Sequence, residues 1–304
     1  MGSFNDILLE IQNCGQPDAF DQIRRKYLKK LSDKTGRNVI AYYSGWLQKP
    51  RIKGVEIEDV DKTAFMTALY QLDHSKGLDL ILHTPGGRVD AAESIVKYLR
   101  KMFGINIVAY VPQIAMSAGT MIACATKMIV MGRHSNLGPI DPQFNGIPAF
   151  GVKDEFERAM KEVKSDPSRA LIWRFVFEKY HPTFIGECEN AIRWSKSIVS
   201  KWLETGMFLG DRNAKRKAKK IVDALQDRNR MLTHSRHIEA DECEKIGLLI
   251  NKLEDDQDLQ EILLSIHHAY MVTFSSTAAI KITENHEGKA FVLQAHSVAA
   301  QGVP

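Results

Sequence analysis

The sequence predicts an α/β fold built on a parallel sheet, and three observations predict it. Short apolar runs recur at Asn38 to Ser44, Leu78 to His83, Ile105 to Val111 and Lys127 to Met131. Strands buried on both faces of a parallel sheet read this way. Between the runs lie segments with apolar residues at helical spacing, so strand and helix alternate as in βαβ units with right-handed crossovers. Two Gly-rich turns, about thirty residues apart, close two of the runs: Thr84-Pro85-Gly86-Gly87 and Ala115-Met116-Ser117-Ala118-Gly119-Thr120. Sites in open α/β proteins gather at such carboxyl ends.

The elements follow in order. Residues 1–37 form a charged, helical lead-in rather than a core. After the first strand, Trp46 to Ile57 is a loop holding Pro50 and Gly54. Asp61 to Asp73 sets Phe65, Met66, Leu69 and Leu72 at helical spacing. The TPGG turn opens a helix over 88–103 with Ala92, Ile95, Val96 and Leu99 inward, and Ser117 opens the next helix. From about 153 to 231 the chain is mostly helix, carrying Trp173, Trp194 and Trp202 and interrupted at Pro182 and Gly206. Asp241 to Ile246 is a short helix stopped by Gly247, and Leu248-Leu249-Ile250 reads as one more strand. A helix over 256–272 and a hairpin over 278–296, turning at Asn285-His286-Glu287-Gly288, make a C-terminal arm.

At 304 residues, 44% hydrophobic and 26% charged, the chain has the length for a large core. Its net charge of +4 is mild and gives no case for nucleic acid. The run Arg212, Lys215, Arg216, Lys217, Lys219, Lys220 reads as a solvated helix face, with a docking patch for an acidic partner as the alternative. Cys14, Cys124, Cys188 and Cys243 are scattered without disulfide or zinc-like spacing, so no metal site is expected and the compartment is reducing. The start lacks a signal-peptide pattern, and no stretch reaches the ~18 apolar residues of a membrane span. The reading is a cytoplasmic protein with no membrane partner.

The two turns carry the chemistry. A Gly-Gly turn offers bare backbone N–H groups, and a serine hydroxyl needs a neighbouring base to become a nucleophile. Ser117 is the serine set between small residues at a strand-to-helix turn. Its flanks, Ala115-Met116-Ser117-Ala118-Gly119, depart from the G-x-S-x-G elbow by an alanine at the first glycine. Alone that pattern also fits a serine capping a helix. With TPGG upstream it has the form of an oxyanion hole facing a nucleophile, and so of a serine hydrolase.

TPGG followed by SAGT after a helix and a strand resembles the Clp-protease/crotonase superfamily. Gly138-Pro139-Ile140-Asp141-Pro142-Gln143 and Thr233-His234 are similar, more narrowly, to the Clp-like family of serine dehydrogenase proteinases. The resemblance covers roughly residues 38 to 250. It implies a Clp/crotonase-like ββα-repeat core over 38–252 with a helical insertion at about 153–231, and an arm over 253–304 that can serve an oligomer contact. It also implies a triad in the order Ser, Asp, His: Ser117 attacks, His234 takes the proton, and Asp141 orients the imidazole. Clp-type sites draw oxyanion donors from the second glycine of the turn and the residue after the serine, here Gly87 and Ala118.

Alternatives stay open at this level. Asp141 between two prolines fits a plain turn residue. His237 lies three positions from His234 and competes with it as base. His134 fits a surface loop, His83 the edge of the core or the lining of the site, and His267–His268 are further competitors. A Ser–Lys dyad is a separate solution, with Lys153 the best placed of Lys153, Lys161 and Lys164, provided it is desolvated. No nicotinamide fingerprint and no phosphate-binding loop occur, so no cofactor is expected, and an ATP-driven unfoldase or adaptor, if one is needed, belongs to another chain. The expected activity is peptide-bond hydrolysis by a homo-oligomer through an acyl-enzyme on Ser117. The rival classes are a crotonase-like acyl-CoA enzyme and a non-catalytic oligomeric scaffold.

Overall fold

The computed structural model describes residues 3–144, 146–227 and 235–295. The chain opens with α1 (Phe4–Cys14), α2 (Ala19–Thr35) and β1 (Asn38–Ser44). Next come α3 (Val60–Leu69), β2 (Leu78–His83), α4 (Val89–Phe103) and β3 (Ile107–Val111). A short β4 (Ile114–Ala115) precedes α5 (Ala118–Cys124), β5 (Met128–Met131) and β6 (Asn136–Leu137). A small hairpin, β7 (Gln143–Phe144) and β8 (Ile147–Pro148), leads into α6 (Ala149–Ser165), α7 (Ala170–Phe177), α8 (Phe184–Thr205) and α9 (Ala214–Leu225). The chain returns through β9 (Ile238–Glu239), α10 (Ala240–Ile246) and β10 (Ile250–Lys252). It finishes with α11 (Gln257–Ser276), β11 (Ala279–Asn285) and β12 (Ala290–Gln294).

Among the described residues the large sheet has the order β10-β5-β3-β2-β1-β11-β12. From β10 to β1 every pairing is parallel, and β11 and β12 add an antiparallel edge. All residues of β1, β2 and β3 are buried, which is why their sequences run apolar without alternation. One face is covered by α3, α4, α5, α8, α9 and α10, the other by α2 and α11. The units β3-β4-α5 and β5-β6 show how the ββα pattern arises: each long strand runs on into a short one at the carboxyl end, and the site is built there. The first half of the insertion has a small core of its own from Ala149, Val152, Phe184 and Cys188, whereas Ile198, Val199, Trp202 and Leu203 of α8 join the main core.

Several expectations need correction. The N-terminal helices are not merely a lead-in: Leu28 and Leu31 are fully buried against β1 and α11. The expected strand at Leu248 to Ile250 lies two residues later, because Leu248 packs into the core while Ile250 begins pairing with Ile129 of β5. Of the apolar residues at helical spacing on α3, Phe65 and Leu69 are buried and Met66 is exposed. The C-terminal hairpin turns where expected, but β11 pairs along β1 within the main sheet. Past residue 252 the chain therefore continues the same layers.

Candidate active site

Ser117 sits between β4 and α5 with φ 50° and ψ −114°, a backbone conformation that a side chain rarely adopts. Two neighbours hold it there. Gly119 N–H donates to the Met116 carbonyl at 2.7 Å, closing the turn, and Met121 N–H donates to the Ser117 carbonyl at 3.0 Å. The TPGG turn presses on the same point. A Cβ added at Gly86, whose φ is +97°, would lie 2.7 Å from the Ser117 Cβ and 3.2 Å from the Ala118 nitrogen. Behind the turn, a Cβ at Gly87 would lie 2.3 Å from the Ile57 nitrogen. Only two glycines allow the turn to fit between Ile57 and the serine.

The two threonines of the motifs lock the arrangement. Thr84 Oγ1 accepts from Gly86 N–H at 3.1 Å, and its backbone pairs with β4 through Met116 N–H at 3.0 Å. Thr120 Oγ1 donates to the Ala115 carbonyl at 2.8 Å and accepts from Gly138 N–H at 2.9 Å. The final threonine of SAGT thus ties the serine turn to the start of Gly138-Pro139-Ile140-Asp141. Sequence reasoning passed over both side chains, although their place in the motifs was the available signal. Neither Gly87 nor Ala118 N–H has a hydrogen-bond partner among the described residues.

A small sheet of order β4-β6-β9 joins the three segments expected to carry the triad. Ala115, two residues before Ser117, pairs in parallel with Leu137, four residues before Asp141. Leu137 in turn pairs with Ile238 of β9 in antiparallel fashion. The direction of β9 matters: the chain enters it at the end where β4 and β6 lead out towards Ser117 and Asp141. His237 stands just before Ile238 and is exposed. Thr233 and His234 lie outside the described residues. Asp141 is half-buried. Burial chiefly, then the charges of Glu187 and Asp141, raise the Cys188 thiol pKa.

The other candidates separate clearly. His83 is fully buried, its ring 4.4 Å from Trp46, 5.3 Å from Tyr43 and 5.0 Å from His267. Burial pushes its pKa down to about 3, so it is a neutral core imidazole behind the TPGG turn. His267 is likewise held well below the usual histidine value, by burial first and then by His83, His268 and His134. His134 is exposed on its loop. Lys153 lies on α6 with its side chain 41% exposed and 3.7 Å from Glu157. It therefore lacks the desolvation a catalytic lysine needs. Cys124 is inert, its thiol pushed up to about 12 by burial.

A strained serine at a strand-to-helix turn, packed on a Gly-Gly turn with open amides, defines the class: a serine hydrolase on a parallel-sheet scaffold. Residues 7–272 match the model of the ClpP-like SDH-type serine proteinases, and the chain belongs to that family. It is a Clp-like serine peptidase by that membership. Two relatives from Methanocaldococcus jannaschii carry no assigned activity. Uncharacterized protein MJ0137 is 31% identical over 74% of this chain and 72% of its own length. Uncharacterized protein MJ1495 is 27% identical over 75% and 71%. Among solved structures, two variants of the 1510-N membrane-bound stomatin-specific protease align at TM-scores of 0.41 and 0.40 with 18% and 17% identity. They cover 68% and 67% of this chain and 79% and 73% of their own; the second is in complex with a substrate peptide. Among the described residues no helix is long and apolar enough to cross a membrane.

Proposed function

We propose that this peptidase works through Ser117, Asp141 and His234, with the Gly87 and Ala118 amides as the oxyanion hole. The observation that carries the reading is the contact between the strained Ser117 backbone and the Gly86-Gly87 turn, with the Gly87 and Ala118 N–H groups unclaimed among the described residues. Ser117 Oγ attacks the scissile carbonyl while His234 takes its proton, and Asp141 orients the imidazole and stabilises its charge. The tetrahedral oxyanion is met by the two amides, each worth about 10²–10³ in rate. Collapse expels the amine, which receives the proton from the imidazole, and leaves an acyl group on Ser117. Water, deprotonated by the same imidazole, then releases the acid.

A fluorophosphonate probe tests this directly, because Ser117 Oγ forms the P–O bond as fluoride leaves and the proton passes to the base. Labelling is expected in the wild type and in His237→Ala, and lost in Ser117→Ala and His234→Ala. Labelling that survives His234→Ala but not His237→Ala would move the base by one helical turn's spacing in sequence. No labelling of the folded wild type would sink the activated-serine reading.

We further propose a cytoplasmic homo-oligomer that takes peptide segments, with any unfoldase supplied by another chain. Supporting self-association, Leu171, Ile172 and Phe175 on α7 and Met160 on α6 are large apolar side chains left mostly exposed, and the 171/175 and 172/175 spacings set the three on one side of α7. Light scattering of the wild type should give a multiple of the 34.3 kDa chain, and Phe175→Ser with Leu171→Ser should lower it. A monomer at all concentrations would overturn the assembly.

A further inference from the structure

We propose that the buried Lys281–Asp61 pair is a positioning device for the Gly86-Gly87 turn, acting from a strand beyond the residues that match the family. This rests on the peptidase reading above. Lys281 lies on β11, while the family match ends at residue 272. Its side chain is 3% exposed and that of Asp61 2%. The ammonium donates to Asp61 at 2.9 Å and to the Glu56 carbonyl at 2.7 Å. Asp61 Oδ2 also accepts from Tyr42 Oη at 2.9 Å and from Glu58 N–H at 2.8 Å. One residue further back, Ser44 Oγ donates to the Val55 carbonyl at 2.7 Å. Ser44 is the register partner of Lys281 across β1 and β11.

Residues 55, 56 and 58 are thus pinned from β1, β11 and α3 in turn, and the residue between them meets the TPGG turn. Ile57 N–H donates to the Gly86 carbonyl at 2.7 Å, and its carbonyl accepts from Arg88 N–H at 2.9 Å. Ile57 therefore brackets Gly87 on both sides. This segment belongs to no helix or long strand, so its backbone groups depend on these partners. An aliphatic pair would fill the same space without the desolvation cost of two buried charges. What the charges add is direction: an ammonium on the Glu56 carbonyl and a carboxylate on the Glu58 N–H fix where Ile57, and so the Gly87 amide, lies.

Oxyanion placement acts on the transition state rather than on binding. A misplacement near 1 Å costs on the order of 10²-fold in rate. The test measures fluorophosphonate inactivation as a maximal rate and a half-saturation concentration, for wild type, Lys281→Met, Asp61→Asn with Lys281→Met, and Ser44→Ala. The double variant removes both charges at once and so avoids leaving a lone buried ion. Each variant is first shown folded by its circular dichroism. The maximal rate is expected to fall on the order of 10²-fold in the double variant and less in Ser44→Ala, with half-saturation unchanged. A folded double variant that inactivates at the wild-type rate, or that changes only half-saturation, overturns the proposal while leaving the peptidase reading intact. A folded wild type that does not label removes both.

Discussion

Acid should destabilise this protein through His83, and the size of the effect can be worked out. The folded pKa is about 3 because the ring is fully buried, and in the unfolded chain an ordinary histidine titrates near 6.5. Below pH 6.5 the unfolded state binds a proton that the folded state refuses, so stability is complete above that value and falls as pH drops towards 3. Between pH 7.5 and 5.0 the loss is about 1.5 units of pH at 1.36 kcal/mol each, or about 2 kcal/mol. That figure is set by the unfolded pKa alone, since the folded ring is uncharged at pH 5.0 whether it titrates at 3 or 4. His267, held low by burial and by its histidine neighbours, adds in the same direction. Substituting His83→Phe keeps an aromatic ring against Tyr43 and Trp46 but removes the titrating group. Urea unfolding at the two pH values reads the change as a midpoint shift at constant m. The wild type should lose about 2 kcal/mol more than the variant on acidification. Equal losses in the two proteins would show that His83 is protonated, or solvated, in the folded state, and would refute the reasoning.

Gly86→Ala should disable the site more than the fold: the new Cβ lies 2.7 Å from both the Met116 carbonyl and the Ser117 Cβ at a φ of +97°, and labelling should fall by roughly 10²-fold or more, against near-native circular dichroism. Wild-type labelling by a folded Gly86→Ala would mean the two turns are not packed as described. Lys153→Met should label like the wild type, because its ammonium faces solvent beside Glu157; loss of labelling there would restore the Ser–Lys dyad.

The fold was legible wherever burial on both faces made a strand uniformly apolar. Asn38 to Ser44 and Leu78 to His83 appear in the structure with the expected limits. Strand β3 starts at Ile107 rather than Ile105, since Asn106 leaves the apolar pattern to hold Arg37. The helical register of α4 was readable for the same reason, one face being fully covered by the core. What stayed hidden was partnership. The apolar positions of α2 mark an amphipathic helix, but nothing local says that Leu28 and Leu31 meet α11, whose sequence begins more than two hundred residues later. The hairpin at 278–296 was visible from its alternation, whereas its place beside β1 follows from pairing that no short window contains.

The candidate site divides along the same line. Its turns were legible because they are local: Gly86 and Gly87 are demanded by the close approach of Ile57 on one side and Ser117 on the other, and Gly119 by the Thr84 side chain, 2.5 Å from where its Cβ would lie. Such constraints act on the residue that bears them, so they leave a mark in the motif itself. The support behind the turns leaves none. Asp61 and Lys281 are ordinary charged residues separated by 220 positions, and as a sequence they read as solvated helix and hairpin faces. Only the meeting of α3, β1 and β11 turns them into a buried pair that holds the segment around Ile57 through the Glu56 carbonyl and the Glu58 N–H. The turns are therefore the easier half of this candidate site to find. The half that holds them at the right distance has to be read from the packing, and it extends past the family match, to a strand that a motif search has no reason to inspect.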